Sequence, residues 1–327
     1  MRRIMIVYNP NSSQYIHVRD DILNKVIKLK GYVIGKFAIK KAPFETNVKR
    51  LTGVLENGDL VLAAGGDATA AVCANAILES NKDVALAVLP CGNFNDLART
   101  LGTMKLTDIF RYIDDTTPDS HSQKSGKDKQ RSLDDQCHKL YPLDIIVDGK
   151  HWRYATCYVT IGMTGEAVAI FDDPKIRKKM QQGHKSSWRS YLQLSTWYFK
   201  NRHKKRFIPD FKLNGKLQHP KTSDYAALSG RSMCRVMKGR EDYLNPTTFR
   251  SEVLRTVSFP RLFILMARSI LYRVPGHETK GDILEFIKPS TVSLQAEGEY
   301  CTFKDIERIE VKKPAKYIKV IQKGDYV

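Results

Sequence analysis

The sequence predicts an α/β domain built on a parallel sheet, followed by a mainly antiparallel β-sandwich domain. In the first half, apolar runs of strand length alternate with segments of helical spacing, which is typical of a parallel sheet covered on both faces. In the second half, short strand-like runs end at Asp148-Gly149 and Asn214-Gly215, which are strong hairpin signals. A length of 327 residues is sufficient for two such domains.

The strands and helices of the first half are predicted from where apolar runs stop. Each predicted strand is an apolar run that ends near a turn residue, whereas the predicted helices have apolar residues at helical spacing. The predicted strands are residues 4–8, 32–39, 60–64 and 84–89, and the predicted helices are residues 18–29 and 69–80.

The second half begins after a polar stretch, residues 113–139, which has almost no apolar content and is predicted to be an extended loop or a disordered insertion. Strands are predicted at 143–147, 154–161 and 211–213, and helices around 187–200 and near 260–272. The predicted domains are therefore residues 1–143, which include the insertion, and residues 144–313, with residues 314–327 returning to the first domain.

The formal net charge of +19 is uneven along the chain, and Lys175 to Lys221 holds fourteen Lys or Arg residues against a single acid, Asp210. Such a field attracts nucleic acid, nucleotides or an anionic lipid surface. Trp and Tyr side chains are interleaved with these charges, and they favour the headgroup level of a bilayer. The segment is therefore predicted to contact a membrane through Lys204, Lys205 and Arg206, and no nucleic acid is expected, although charge alone does not exclude RNA.

Several classes of protein are not supported by the sequence. No stretch of about 18 uncharged apolar residues is present, so a transmembrane helix is not expected. The first residues do not resemble a signal peptide. The six cysteines are scattered without metal-binding spacing, which favours reduced thiols over a disulfide framework. Together these features predict a cytoplasmic protein that associates peripherally with the inner face of a membrane.

Three polar turns follow predicted strands of the first domain. Gly65-Gly66-Asp67-Ala68-Thr69 leads from a strand into a helix, and its glycines would let main-chain amides approach an anion. The turn at 90–96 has the same organisation, and Asn9-Pro10-Asn11-Ser12-Ser13 follows the first strand. The carboxyl ends of strands in such a sheet face one crevice, so the three turns are expected to line one phosphate site. A structural role for each turn alone remains an alternative.

The set and order of these motifs resemble the diacylglycerol kinase catalytic family, which is grouped with sphingosine kinases and, more distantly, NAD kinases. The resemblance extends over nearly the whole chain, through Leu143-Asp144, Gly162 and the late acidic turn Glu297-Gly298-Glu299. It implies an ATP- and Mg²⁺-dependent lipid kinase that binds ATP between a nucleotide domain and a β-sandwich domain. The implied partners are a lipid alcohol and an anionic membrane surface, and a homodimer is left open.

The resemblance also implies roles for individual residues. The catalytic residues would be Glu297, as the base that takes the proton of the lipid hydroxyl, and Asp67, which with Asp96 would also belong to the magnesium network. The nucleotide would be bound by Asn9, Gly65, Gly66, Ala68, Thr69, Gly92, Asn95 and Glu299.

The sequence departs from the family pattern at four positions. Ala68 and Ser13 stand where the family has glycine, Asn93 where it has threonine, and Glu297 where it has aspartate. If position 68 needs a positive φ, alanine there costs about 1 kcal/mol. The turn at 297–299 also has a purely structural interpretation as a hairpin turn.

Two alternatives to a working lipid kinase are considered. A catalytically weakened relative would bind lipid or nucleotide in a regulatory role, and the four departures motivate it. An NAD kinase-like enzyme shares the Gly-Gly-Asp loop but agrees less well with the order of the second domain.

Overall fold

The computed structural model describes residues 2–10, 12, 20, 32–92, 94–109, 137–166, 196, 200, 207–234, 237–255, 264, 267–269 and 271–322. The chain forms two compact units. The first comprises Met1–Tyr141 together with Ala315–Val327, and the second comprises Pro142–Pro314.

The first unit is built on a six-stranded sheet with the strand order β2-β1-β3-β4-β18-β5. Its strands are β1 (Arg2–Tyr8), β2 (Tyr32–Ala38), β3 (Leu60–Gly65), β4 (Ala85–Pro90), β5 (His138–Leu140) and β18 (Ile318–Val320). All neighbours are parallel except β18 and β5, which pair antiparallel. The described helices of this unit are α1 (Phe44–Thr52), α2 (Asp67–Ser80) and α3 (Asp96–Thr100).

The centre of this sheet is apolar on both faces. Every residue of β3 is buried, and β4 is buried up to Leu89. Helix α2 is rich in alanine and is buried continuously from Thr69 to Leu78. Small side chains let such a helix lie close to the strands. The carboxyl ends of β3 and β4 are thereby held in fixed positions, and both end in glycine-containing loops.

A buried ion pair fixes the start of β1 against the segment that precedes β3. Arg3 donates from Nε to Oδ1 of Asp59 over 2.9 Å and from Nη2 to Oδ2 over 2.6 Å. The side chain of Asp59 is only 2% exposed, and it also accepts the main-chain N–H of Glu56 over 2.7 Å. A bidentate ion pair of this kind is stronger than a hydrogen bond between neutral groups.

The second unit contains a ten-stranded sheet whose main path is β15-β14-β11-β8-β16-β17-β6-β7, with β9 and β10 attached beside β16. The early strands are β6 (Leu143–Val147), β7 (Lys150–Ala155), β8 (Tyr158–Gly162), β9 (Phe211–Leu213), β10 (Lys216–Leu217) and β11 (Thr222–Leu228). The later ones are β14 (Phe249–Arg255), β15 (His277–Thr279), β16 (Gly281–Ala296) and β17 (Glu299–Lys312). Strands β12 (Ser232–Met233) and β13 (Met237–Lys238) form a separate pair, followed by a 3-10 helix, Asp242–Leu244.

Strands β16 and β17 form a long antiparallel hairpin that organises this unit. The first half of β16 pairs with β9 and its last residues pair with β8. The register of the hairpin shifts between Glu285 and Ser290, where Pro289 interrupts the ladder. Buried side chains from both arms, including Leu294 of β16 and Ile309 of β17, belong to a single apolar core.

The predicted fold class is confirmed, because an α/β unit with a parallel sheet is followed by a unit of antiparallel strands. Within the second unit, the strand predicted at 154–161 is two strands, β7 and β8, separated by Thr156 and Cys157. Most of the helix predicted at 18–29, residues 113–136 of the predicted insertion and most of the helices near 187–200 and 260–272 lie outside the described residues. The end of the predicted insertion is wrong, because His138 and Lys139 belong to strand β5.

Replacing Asp59 with Asn is expected to lower the free energy of unfolding by about 1.5–3 kcal/mol, because Arg3 loses its charged partner in a buried position. The matched control is Asp83→Asn, which breaks an ion pair with Lys319 at a side chain that is 58% exposed. Exposed pairs contribute about 0–1 kcal/mol. Urea denaturation measures both changes, and equal losses would contradict a special role for the buried pair.

Candidate nucleotide site

Three loops of the first unit meet at the carboxyl ends of β1, β3 and β4. They are the Asn9 loop (residues 9–12), the Gly66 loop (residues 65–69) and the Gly92 loop (residues 91–96). The Asn9 loop is tied to the Gly92 loop by the hydroxyl of Ser12, which donates to the carbonyl oxygen of Cys91. The N–H of Cys91 in turn donates to the carbonyl of Gly65 over 2.9 Å. The structure therefore brings together the three turns that were predicted to line one site.

The Gly66 and Gly92 loops touch through their α-carbons. A Cβ placed on Gly92 would lie 2.3 Å from the Cα of Gly66, and a Cβ on Gly66 would lie 3.2 Å from the Cα of Gly92. The first distance is far below van der Waals contact, so glycine is required at position 92. The close approach leaves a surface of main-chain groups, and Gly66 stands at the N-terminus of α2. Unpaired amides at the start of a helix of 14 residues suit the binding of an anion.

The side chain of Asp67 joins the two loops. Its Oδ2 accepts the N–H of Asn95 over 2.8 Å, and its Oδ1 accepts the N–H groups of Asp96 and Leu97 over 2.5 and 3.4 Å. These amides begin helix α3, which Asp67 thus caps from a neighbouring element.

The charge of Asp67 is held in an unfavourable environment. Burial and the nearby carboxylate of Asp96 raise the pKa of Asp67 to about 7, against the opposing effect of the three amides. Asp96 is itself only 2% exposed. Two acidic side chains are therefore close together in a buried position at the edge of the three loops.

Asn95 shapes the Gly92 loop. Its side chain accepts the N–H of Gly92 over 2.8 Å and donates to the carbonyl of Gly92 over 2.7 Å. The residue has φ 56° and ψ 45°, a left-handed conformation that asparagine tolerates better than most residues. Asparagine at this position thus satisfies both the turn and its hydrogen bonds.

Ala68 and Thr69 lie inside helix α2. Ala68 is absent from the described residues with positive φ, so the strain considered for alanine at this position does not arise. Thr69 is buried, and its side chain packs against the Cα of Gly65, where a Cβ would lie 2.3 Å from the threonine hydroxyl. The threonine therefore fills the space that glycine leaves.

Glu297 and Glu299 belong to the second unit. Glu297 and Gly298 form the turn between β16 and β17, with φ values of 51° and 84°. The carboxylate of Glu297 contacts the segment between β7 and β8. Its Oε1 accepts hydrogen bonds from the hydroxyl of Thr156 and from the N–H of Cys157. Glu297 is only 3% exposed, whereas Glu299 is partly exposed at the start of β17.

Thr156 and Cys157 were not identified from the sequence as site residues. The only signal was a hydroxyl residue, Thr156, inside the apolar run at 154–161. Of the other predicted site residues, Asn9 is described in the Asn9 loop, and Lys204, Lys205 and Arg206 lie outside the described residues.

Comparison with known proteins shows what the first unit is similar to. Residues 3–118, about a third of the chain, match the model of the diacylglycerol kinase catalytic domain. The matched segment contains the Asn9, Gly66 and Gly92 loops and ends well before Glu297.

Individual relatives are bacterial. The chain is 32% identical over 115 residues to a diacylglycerol kinase of Staphylococcus saprophyticus. This alignment covers 35% of this chain and 36% of the relative. The chain is 30% identical over 133 residues to a diacylglycerol kinase of Staphylococcus carnosus, with 40% and 42% covered. The alignments thus span well under half the length of these relatives.

A solved structure establishes the fold over a longer range. The crystal structure of a diacylglycerol kinase from Bacillus anthracis superposes with a TM-score of 0.66, covering 100% of this chain and 98% of that chain. The sequence identity is 14%. This likeness shows the fold alone and does not assign an activity to the chain.

Replacing Gly92 with Ala is expected to separate the two glycine loops and to lower the free energy of unfolding by about 1–3 kcal/mol, because main chain would have to move. The control is Gly53→Ala, where φ is −68° and a Cβ would meet no described atom closer than 3.6 Å. This change should be neutral or slightly stabilising. Chemical denaturation measures both variants, and a neutral Gly92→Ala would show that the loops are not in close contact.

Replacing Asp67 with Asn is expected to change how stability depends on pH. The ordinary pKa of 3.8 applies to the unfolded chain and a pKa of about 7 to the folded one, so between these values only the folded state retains the proton. The free energy of unfolding then falls as pH rises through this window, by at most about 1.4 kcal/mol per pH unit. Urea denaturation of both proteins between pH 4 and 8 measures this fall, which the Asn variant should lack. A difference between the two proteins that does not vary with pH would contradict the raised pKa.

Proposed function

We propose that the chain transfers the γ-phosphoryl group of ATP to the hydroxyl of a diacylglycerol-like lipid. The main support is the contact between the Gly66 and Gly92 loops, which Asp67 fixes and which presents main-chain groups beside the N-terminus of α2. The match of residues 3–118 to the diacylglycerol kinase catalytic domain and the names of the bacterial relatives support a kinase that acts on diacylglycerol.

The triphosphate of ATP would lie on the Gly66 loop. Gly65 and Gly66 carry no side chains, so phosphate oxygens can approach the main-chain N–H groups at the start of α2 closely. Asn9 and the Gly92 loop would form the adjoining wall, with Asn95 holding the conformation of Gly92. In this proposal Ala68 and Thr69 contribute through the geometry of α2, and Glu299 contacts the nucleotide or its metal.

Magnesium would be held by Asp67 and Asp96. Among the described residues, no group of three or more His, Cys, Asp or Glu side chains forms a metal cluster. Two carboxylates are nevertheless a suitable set, because Mg²⁺ in kinases binds one or two carboxylates together with substrate phosphates and water. The repulsion between the two acids, which contributes to the raised pKa of Asp67, is what a cation would relieve. When bound, the ion would neutralise charge on the phosphates.

Glu297 would act as the base. In the proposed reaction the lipid oxygen attacks the γ-phosphorus, its proton passes to the carboxylate of Glu297, and the bond to the leaving oxygen of ADP breaks. Thr156 and Cys157 would hold the carboxylate in place, since both donate to Oε1. A base fixed by neighbouring groups loses little freedom when the reaction occurs.

We further propose that the reaction takes place at a membrane surface, where such a lipid resides. No helix within the described residues has the length and apolarity needed to cross a bilayer. Three apolar side chains near one another in sequence are strongly exposed, Ile264, Leu271 and Tyr272, at 64%, 67% and 73%. Exposed apolar and aromatic residues favour the bilayer interface, and Lys204, Lys205 and Arg206 would add attraction to anionic lipid.

A second candidate is a relative that binds nucleotide or lipid without transferring phosphate. The observation that favours it is the burial of Glu297, whose Oε1 already accepts two hydrogen bonds inside its own unit. A carboxylate engaged in this way can stabilise a turn without reaching a substrate.

Replacing Glu297 with Gln is expected to lower kcat at least 100-fold, because an amide cannot accept the proton, while Gln retains an oxygen for Thr156 and Cys157. The matched control is Glu285→Gln, at an exposed position on β16, the strand that leads into the turn of Glu297, and it should keep full activity. Transfer of radiolabelled phosphate from ATP is measured with diacylglycerol, a sphingoid base and NAD as acceptors.

The same assay separates the candidates. Transfer to a lipid that is lost in Glu297→Gln supports the kinase with Glu297 as base, and transfer to NAD alone would replace the lipid as substrate. If the wild-type chain transfers phosphate to none of them but still binds ATP, the binding protein is the correct description. An unchanged kcat in Glu297→Gln would remove Glu297 from the mechanism.

A further inference from the structure

An open cavity of about 900 Å³ lies in the second unit, formed by residues that have no part in the proposed reaction. Its walls come from the β12–β13 ribbon, the segment around the 3-10 helix, the start of β14 and the segment that follows residue 272. Cavities of this size are typical of small-molecule sites.

The cavity has an excess of positive charge. Its five cationic side chains are Arg231, Lys238, Arg240, Arg250 and Arg273, and its two acidic ones are Glu241 and Asp242. The acids are occupied, since Arg231 lies 2.7 Å from Glu241 and Arg250 lies 3.5 Å from Asp242. Asp242 is also in the field of Lys313 and Arg240. Three positive charges therefore remain in excess around the cavity.

One donor of each deeper arginine is poorly paired. The Nε atoms of Arg231 and Arg250 are buried and make no hydrogen bond within the described part of the chain, and Nε of Arg250 lies 3.5 Å from Oδ2 of Asp242. Other guanidinium nitrogens of both arginines contact acids or the carbonyl of Gly276. A buried donor without an acceptor costs free energy, more so when it is charged. An anion with several oxygens in the cavity would supply acceptors for such groups, and the planar guanidinium suits phosphate oxygens particularly well.

The walls of the cavity are held by main-chain hydrogen bonds. The N–H of Gly239 donates to the carbonyl of Arg231 over 2.7 Å, and a Cβ on Gly239 would lie 2.1 Å from the carbonyl oxygen of Gly230. The N–H of Val274 donates to the carbonyl of Lys238 over 2.8 Å, which places Arg273 beside the ribbon.

The opposite wall is held in the same way. Asn245 accepts the N–H groups of Thr247 and Thr248 over 2.9 and 3.1 Å. Arg250 donates to the carbonyl of Gly276 over 3.2 Å. Because these bonds are made within the protein itself, they hold the walls in place and reduce the ordering that binding would require.

We propose that this cavity binds a phosphate-bearing ligand, with Lys238, Arg240 and Arg273 at its rim and Arg231 and Arg250 below them. The cavity is much larger than a single phosphate, so the ligand is a phosphate ester with an organic part. Two sources share this chemistry, a water-soluble phosphomonoester and the headgroup of an anionic phospholipid. The residues that line the site all belong to the second unit, and the proposal does not depend on the proposed kinase activity.

The experiment uses the full chain without ATP and two probes, glycerol 3-phosphate and vesicles of phosphatidylglycerol, with phosphatidylcholine vesicles for comparison. The test variant carries Lys238→Gln, Arg240→Gln and Arg273→Gln. The control variant carries Lys150→Gln, Lys216→Gln and Lys280→Gln, which remove the same charge from exposed positions outside the lining. Calorimetry or sedimentation gives affinity, and amide hydrogen exchange locates the bound probe.

The expected result is that at least one probe binds, protects residues 237–250 from exchange, and binds at least tenfold more weakly to the test variant than to the control variant. Binding of glycerol 3-phosphate identifies a soluble ester as the ligand, and binding of phosphatidylglycerol vesicles alone identifies a headgroup. The proposal is overturned if neither probe binds, if both variants lose affinity equally, or if protection is confined to residues 65–69 and 91–97.

Discussion

The candidate site depends on the hydrogen bonds between the carboxylate of Asp67 and the main chain of residues 95–97. The first amides of helix α3 have no acceptor within the helix, as in any α-helix, and Asp67 supplies acceptors for them from the first turn of α2. The same bonds keep the Gly92 loop against Gly66. The cost is a carboxylate buried beside Asp96, which the raised pKa of Asp67 reflects. A single side chain therefore sets both the spacing of the glycine loops and the charge beside them.

Much of the first unit could be predicted from the sequence, because its strands are apolar throughout and end at turn residues. Leu60 to Gly65 is the clearest case, since every residue of the strand is buried. The strands β16 and β17 were not predicted, although the turn between them was considered as a hairpin turn and residues 282, 284 and 286 alternate as a half-buried strand should. The reason is local, because Lys288 and Pro289 interrupt the alternation. The strand continues after a shift in its register with β17, and this shift cannot be seen in the sequence alone.

The position of the candidate site in the chain could be predicted from the sequence, but the contacts that hold its loops together could not. The loops were recognisable because three polar turns follow strands of the same predicted sheet, and such turns face one crevice. The partner of Asp67 was not predictable, since residues 95–97 are nearly thirty positions away in the chain and meet it only after β3 and β4 pair. The effect of Ala68 was likewise undecidable until the backbone showed that this position is helical.

Glu297 is an unfavourable residue, in terms of folding free energy, for the turn that it occupies. A two-residue hairpin turn with both φ values positive is most easily formed by Asn-Gly or Asp-Gly, and a left-handed glutamate costs on the order of 1 kcal/mol. Burying its carboxylate costs further free energy. The hydroxyl of Thr156 and the N–H of Cys157 offset that cost by donating hydrogen bonds to Oε1, so neither donor is available to another acceptor. Stability alone would favour a shorter, neutral side chain here. A carboxylate held in this position at such a cost supports the proposal that Glu297 is the base.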